Sequence, residues 1–317
     1  MAQQKIVPNI WCNRTAEQAG AFYAAAFGEL GFAGAQFAVE GRYPEAGLPE
    51  FQRDFAGQPI MVSLTIAGYR IGLINAGADF HPNPSLSFIV NFDPLLFGGA
   101  NESTTDAARA ALDRVWAALG EGGRVLMPLD EYFFSAHYGW VQDRYGVGWQ
   151  LSLTDPAGDP RPFLMPALTF GNRAQNRAAE AAAHYLEVFA GVEGGTAAGL
   201  RVPYGAAAGT GPALPDSLIF ADLRIGDQWF ALMDAGAERE ETFDCGVSLA
   251  VNCADQAEID RLWDALSAAP EAEQCGWLAD RFGVSWQIIP ANFAELMQRP
   301  SAYAHMMQMK KLVIDDF

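Results

Sequence analysis

The chain states one segment twice. The stretch beginning at Gly139 and the stretch beginning at Gly276 carry the same residue at Gly139/Gly276, Trp140/Trp277, Asp143/Asp280, Arg144/Arg281, Gly146/Gly283, Val147/Val284, Trp149/Trp286 and Gln150/Gln287, at a constant offset of 137 (139 to 276). A repeat on this scale constrains architecture before any single residue is interpreted, because both copies must fold on one plan. Other pairs occur in the same order: Tyr23 with Tyr185, Leu73–Gly77 with Leu232–Gly236, Leu86–Asn91 with Val247–Asn252, and Asp113–Leu119 with Asp260–Leu266. The offset shrinks from 161 (86 to 247) through 147 (113 to 260) to 137, so the second copy has lost fourteen residues after Asn91 and ten before Gly139. In copy one the segment lost before Gly139 includes Gly122–Asp130, which reads as an extra strand with a turn. Thr154–Pro160 is a Pro/Gly/Asp linker of the kind found at domain boundaries. The 317 residues therefore divide into 1–155, 161–292 and a C-terminal tail, 293–317.

Within a copy, Ile6–Cys12 is β-branched and aromatic and predicts a strand. Thr15 to Gln18 has capping-box spacing ahead of a helix carrying Phe22 and Phe27, and Asp255-x-x-Glu258 opens a helix in copy two. Ala67-Gly68 and Gly226-Asp227 mark hairpins. In the repeated segment, Asp and Gly three apart fit positions i and i+3 of a type I turn. Each copy thus reads as two βαβββ modules, four in all, an α+β chain with helices on one face of curved mixed or antiparallel sheets. The other sheet face is left to line a cleft.

Composition removes several classes of function. Half the residues are hydrophobic, with 21 Phe and 8 Trp, enough for a core in each half. A net charge of −18 argues against a nucleic-acid partner, which needs a basic face. No run of about 18 apolar residues is present, so no membrane helix is expected. The first residues show no basic region followed by an apolar run, so no export signal is expected, and the four cysteines have no CxxC spacing. Those features place the protein in the cytoplasm with reduced thiols.

The residues that carry a family resemblance are Trp11 with Ala16-Glu17-Gln18 and Phe22-Tyr23, the run Gly123 to Leu129, the two repeated hairpins, and the tail Ala304 to Leu312. Together they resemble two tandem PhnB-like domains of the vicinal-oxygen-chelate superfamily, which includes glyoxalases, bleomycin-resistance proteins and extradiol dioxygenases. The resemblance covers nearly the whole chain. It implies four-stranded modules around a cleft and, in active members, a divalent metal held by His and Glu from four strands, acting as a Lewis acid on vicinal oxygens.

Those four positions are poor in ligands here. They fall near Val7 or Asn9 in copy one and Pro166 or Leu168 in copy two, near Gly72 and Ala231, at Ser85 and Gly246, and at Gln150 and Gln287 where a Glu would stand. The four histidines have no spacing that would place two on one metal. A divalent metal, and with it a metal-dependent lyase, isomerase or dioxygenase, is therefore disfavoured, and no metal ligand is assigned. Some names in the family refer to a ubiquinone-pathway methyltransferase. The only glycine-rich stretch, Gly205 to Gly211, precedes Pro212 and not a helix, so it does not read as a methyl-donor loop. No Ser-His-Asp or Cys-His pairing can be built. The sequence instead predicts a metal-free protein that binds a small molecule in a sheet-lined cleft, with Asn9, Trp11, Ser85, His137, Gln150, Phe170 and Gln287 as candidate ligand contacts, and tandem domains standing in for a homodimer. Trp149 and Trp286, one residue before each Gln, are expected in the core.

Overall fold

The structure is a computed structural model that describes residues 4–32, 34–209 and 211–317. Module one comprises β1 (Ile6–Asn13), α1 (Ala16–Gly28), β2 (Ala35–Arg42), β3 (Pro59–Ile66) and β4 (Tyr69–Ala76). Module two comprises β5 (Leu86–Phe92), α2 (Glu102–Gly120), β6 (Arg124–Tyr132), β7 (Ser135–Gln142) and β8 (Gly148–Leu153). Module three runs through β9 (Leu164–Phe170), α3 (Ala178–Val188), β10 (Thr196–Pro203), β11 (Leu218–Ile225) and β12 (Gln228–Asp234). Module four has β13 (Val247–Cys253), α4 (Gln256–Leu266), β14 (Trp277–Ala279) and β15 (Ser285–Pro290), and lacks a counterpart of β6. The short helices α5 (Phe293–Leu296) and α6 (Ala302–Met306) follow.

The modules combine across the two copies. The first sheet has seven strands in the order β14-β15-β13-β1-β4-β3-β2, and the second has eight in the order β10-β11-β12-β9-β5-β8-β7-β6. Module one thus shares a sheet with module four through the antiparallel β1–β13 pair, and module two with module three through β5–β9. Neither sheet exists without both copies.

Within a copy, the helix sides hold the modules together, and the repeated hairpin is the fastener. Asp143 is buried and accepts from Tyr23 Oη of α1 at 2.8 Å, Trp149 Nε1 at 2.8 Å, and the backbone N–H groups of Tyr145 and Val147. Asp280 repeats every bond, with Tyr185 Oη at 2.7 Å, Trp286 Nε1 at 2.9 Å, and the N–H groups of Phe282 and Val284. The predicted type I turns form, with Gly146 N–H on Asp143 O and Gly283 N–H on Asp280 O. Gly146 and Gly283 sit at φ 88° and 89°, where a side chain would be strained. Burial pushes both aspartates up from the usual carboxylate range, and the four donors pull back.

Two local expectations fare differently. Asp255 caps α4 by accepting Glu258 N–H at 2.9 Å. Thr15 makes no side-chain cap for α1; the N–H of Ala16 goes instead to Asn75 Oδ1 on β4 at 3.3 Å. Copy two uses Asp234 on β12 for the same job on Ala178. A buried strand residue thus satisfies the orphan helix donor, and the local capping signal is overridden.

The tail takes the place of the strand that module four lost. Cys275 N–H and Gly276 N–H donate to Met309 O and Lys310 O at 2.8 and 2.7 Å, on the edge where β6 lies in copy one. Tyr303 Oη then reaches Gln52 of module one at 2.6 Å. An otherwise open sheet edge is covered in this way.

Candidate functional site

Each sheet has one face on helices and one free of them, and strand parity assigns the residues. On β1, Ile6, Ile10 and Cys12 pack in the helix-side core, so Asn9 and Trp11 lie on the open face. Asn9 pairs with Gly72 on β4 and Ser248 on β13, and Ser248 is held by Gln287 on β15, whose Nε2 donates to Ser248 Oγ at 2.8 Å. Asn9 is 4% exposed and its side-chain amide makes no hydrogen bond among the described residues. Gln287 Oε1 likewise accepts none there. Gly72 leaves room for the Asn9 amide, whose Oδ1 lies where a β-carbon would stand. Beside this amide pair stand three aromatic rings: Trp11 lies edge-on to Phe80 at 5.1 Å and to Trp277 at 6.2 Å, with Trp11 Nε1 donating to Gly77 O.

The second sheet repeats the bond but not the surroundings. Gln150 Nε2 donates to Ser87 Oγ at 2.9 Å, and Gln150 Oε1 accepts from Tyr138 Oη at 2.8 Å, so this glutamine is satisfied on both sides. Ala167, in register with Ala231, stands where the first sheet has Asn9 in register with Gly72. Ile89, Met165, Ala167 and Ala231 form an apolar floor with Trp229 against it. At one end Arg161, the first residue past the linker, pairs with buried Asp222 at 2.6 Å and lies over Trp229.

The predicted residues divide accordingly. Asn9, Trp11 and Gln287 come together on the first sheet, and Gln150 lies on the second. Trp11 and Gln150 therefore belong to different faces, although both are in copy one, because the modules pair across the copies. Ser85 is buried near the edge of the second face, its carbonyl accepting Thr169 N–H; the serines beside the glutamines are Ser87 and Ser248, two residues further along. Phe170 is fully buried in the helix-side core against Phe243 and Phe282. The residue of β9 that matches Trp11 is Thr169, since Trp11 is in register with Ile74 and Thr169 with Met233. A one-residue slip in alignment exchanges the faces of a strand. His137 also leaves the site: it lies on the helix side of β7, with Nε2 2.6 Å from Asp113 Oδ1 of α2. Trp149 and Trp286 are in the core, as parity predicts.

The polar groups around Gln287 are its own amide, the Ser248 hydroxyl and the Asn9 amide opposite a glycine; around Gln150 they are its own amide and the Ser87 and Tyr138 hydroxyls, with two alanines where Asn9 and Gly72 stand on the first sheet. Neither set supplies the imidazole or carboxylate that a catalytic divalent ion needs. Among the described residues no group of three His, Cys, Asp or Glu could hold a metal ion. A methyl-donor site fits no better: Gly205–Ala208 makes one 3-10 turn and opens no α-helix, and Thr210 lies outside the described residues. No helix of the described residues is long and apolar enough to cross a membrane.

Comparison with known proteins agrees with the double plan. The family model described as 3-demethylubiquinone-9 3-methyltransferase matches residues 4–152 and again 163–289. Among solved structures, the PhnB protein from Bacillus cereus is 29% identical, covering 48% of this chain and 100% of its own, with a TM-score of 0.35. A Pseudomonas aeruginosa protein is 20% identical over 48% of this chain and 99% of its own, with a TM-score of 0.35. Glyoxalase I from Zea mays is 10% identical, covering 96% of this chain and 97% of its own, with a TM-score of 0.45. No curated protein matches. By the match of both halves, the chain belongs to the family described as 3-demethylubiquinone-9 3-methyltransferase.

Proposed function

We propose that the protein is a metal-free cytoplasmic binder of a small, neutral, partly aromatic molecule on the open face of the first sheet. The observation that carries this reading is the pair of unsatisfied amides, Asn9 and Gln287 Oε1, beside the Trp11–Phe80–Trp277 cluster. Among the described residues Asn9 and Gln287 Oε1 have no protein partner yet are not among the fully buried unpaired groups, so both are open to a partner from outside. The aromatic edges supply contact area and the two amides fix orientation, the usual division of labour in a small-molecule site. The tandem copies would do what two identical chains do elsewhere, since each face draws on both.

Equilibrium dialysis against zinc, nickel, manganese and ferrous iron, followed by elemental analysis, tests the metal-free part. The expected result is no stoichiometric metal. One retained equivalent per chain, with activity lost on chelation, would restore the metal-dependent enzyme and sink this reading. Calorimetry with benzamide, an aromatic amide, tests the ligand part: Asn9→Ala should weaken binding by about tenfold, the worth of a hydrogen bond to a buried amide.

A further inference from the structure

Three equivalent positions differ in kind between the faces. Trp11 on β1 corresponds to Thr169 on β9, Trp277 on β14 to Trp140 on β7, and Phe80 to Arg239, each three residues past the glycine that follows β4 or β12. An aromatic triad on the first sheet is thus a threonine, a tryptophan and an arginine on the second. Arg239 lies with its guanidinium carbon 4.5 Å from the centroid of the Trp140 ring, and its stem runs past Gly171 and Ala235. It is half-buried and makes no hydrogen bond or ion pair among the described residues. The neighbouring carboxylate, Glu241, pairs with Arg124 at 3.7 Å instead.

Two neutral donors share the predicament. Trp140 is 4% exposed and its Nε1–H has no partner; Thr169 is 2% exposed and its hydroxyl has none. Both lie at the same end of the face. The indole of Trp140 passes over Gly148, where a β-carbon would come within 3.2 Å of Nε1 and 2.9 Å of Ser87 Cβ, and Thr169 N–H donates to Ser85 O on the adjoining strand. A guanidinium with no contact ion pair, only the field of the shared Glu241 nearby, beside two buried donors without acceptors among the described residues is a place that an anionic group would complete.

We propose that this end of the second face binds the oxyanion group of a small molecule, a carboxylate or phosphonate, with Arg239 as the charged partner and Trp140 Nε1–H and the Thr169 hydroxyl as further donors. The apolar body of the ligand rests on Met233, the partly exposed neighbour of Thr169 at the edge of the apolar floor. The guanidinium suits such a group because its planar fork donates two parallel bonds. The site is separate from the amide pair of the first sheet and does not depend on that reading.

Calorimetric titration of the full-length protein with phenylphosphonate, benzoate and the neutral benzamide tests it. Arg239→Gln should abolish phenylphosphonate and benzoate binding at this site, Arg239→Lys should keep part of it, and the exposed Arg114→Gln should change nothing. Trp140→Phe keeps the ring under the cation and removes one donor, and should weaken phenylphosphonate by about fivefold, the worth of one hydrogen bond. The contrast between phenylphosphonate and benzoate shows which oxyanion is preferred. No saturable binding of either anion up to ~10 mM, or unchanged binding in Arg239→Gln, overturns the proposal.

Discussion

The two open faces share a glutamine–serine hydrogen bond and almost nothing else. Around Gln287 and Ser248 the first sheet presents an unsatisfied asparagine and three aromatic rings; around Gln150 and Ser87 the second presents a satisfied glutamine, an apolar floor and an unpaired arginine. On the helix sides the opposite holds, for Asp143 and Asp280 collect the same four donors with nearly the same distances. The fold has kept its backs alike and let its fronts diverge. The repeated sequence is therefore informative about what holds each copy together and uninformative about what each face takes.

The largest effect should come from the shared backs. Replacing Asp143 by Ala strands four donors in the core and should cost about 3 kcal/mol or more, and Asp280→Ala should cost the same, read by chemical denaturation. A difference beyond about 1 kcal/mol between the two would break the claim of equivalence. Next, Gly72→Ala forces Asn9 aside and should cost about 1–3 kcal/mol while abolishing benzamide binding and leaving phenylphosphonate binding intact. Loss of both ligands would mean the faces are not independent.

Restoring a carboxylate separates the fronts by a smaller margin. In Gln287→Glu the new carboxylate has one hydroxyl donor, Ser248, and should cost about 2 kcal/mol at neutral pH. In Gln150→Glu it gains Tyr138 Oη as well as Ser87 Oγ, and the cost should be about half that. Burial without a cation raises the folded-state pKa of the new group above its unfolded value. The stability it retains is full below the unfolded value and is lost as pH rises through the folded one, so both penalties should shrink on acidification, Gln287→Glu the more. The smallest effect concerns Cys12 and Cys253, which lie behind the first sheet. Burial pushes both thiols up to about 12, so neither should label under native, mildly alkaline conditions with a thiol reagent that reacts fully after unfolding.

Much of the architecture is legible in the chain, because module order, the lost strand of copy two, the turn type and the core tryptophans all follow from repeat spacing and strand parity. The pairing of modules across copies is not. β1 and β13 are separated by most of the chain, and nothing local specifies which of two similar strands β1 will join. That single long-range choice put Trp11 and Gln150 on separate faces. Phe170 shows a finer limit. Setting Asn172 against Asn13 brings Phe170 opposite Trp11, but that setting is one position out of register, and one position is enough to exchange the open face for the core. His137 failed on direction, since its side chain points to α2. Arg239 carried a signal that could have been used: three residues past Gly236, it occupies the place that Phe80 takes past Gly77.

The central claim is that the two faces take chemically different ligands, and the tryptophan side chains report on it directly. Trp11 and Trp277 stand on the first face, Trp140 on the second, and Trp149 and Trp286 are locked to aspartates in the core as internal references. In a nitrogen-labelled sample, the indole N–H resonances are followed during separate titrations with benzamide and phenylphosphonate. Benzamide should shift Trp11 and Trp277 and leave Trp140 in place, and phenylphosphonate should shift Trp140, with Trp229 of the same face, and leave Trp11 and Trp277 in place, Trp149 and Trp286 staying fixed in both. Movement of the same indoles by both probes would contradict the account.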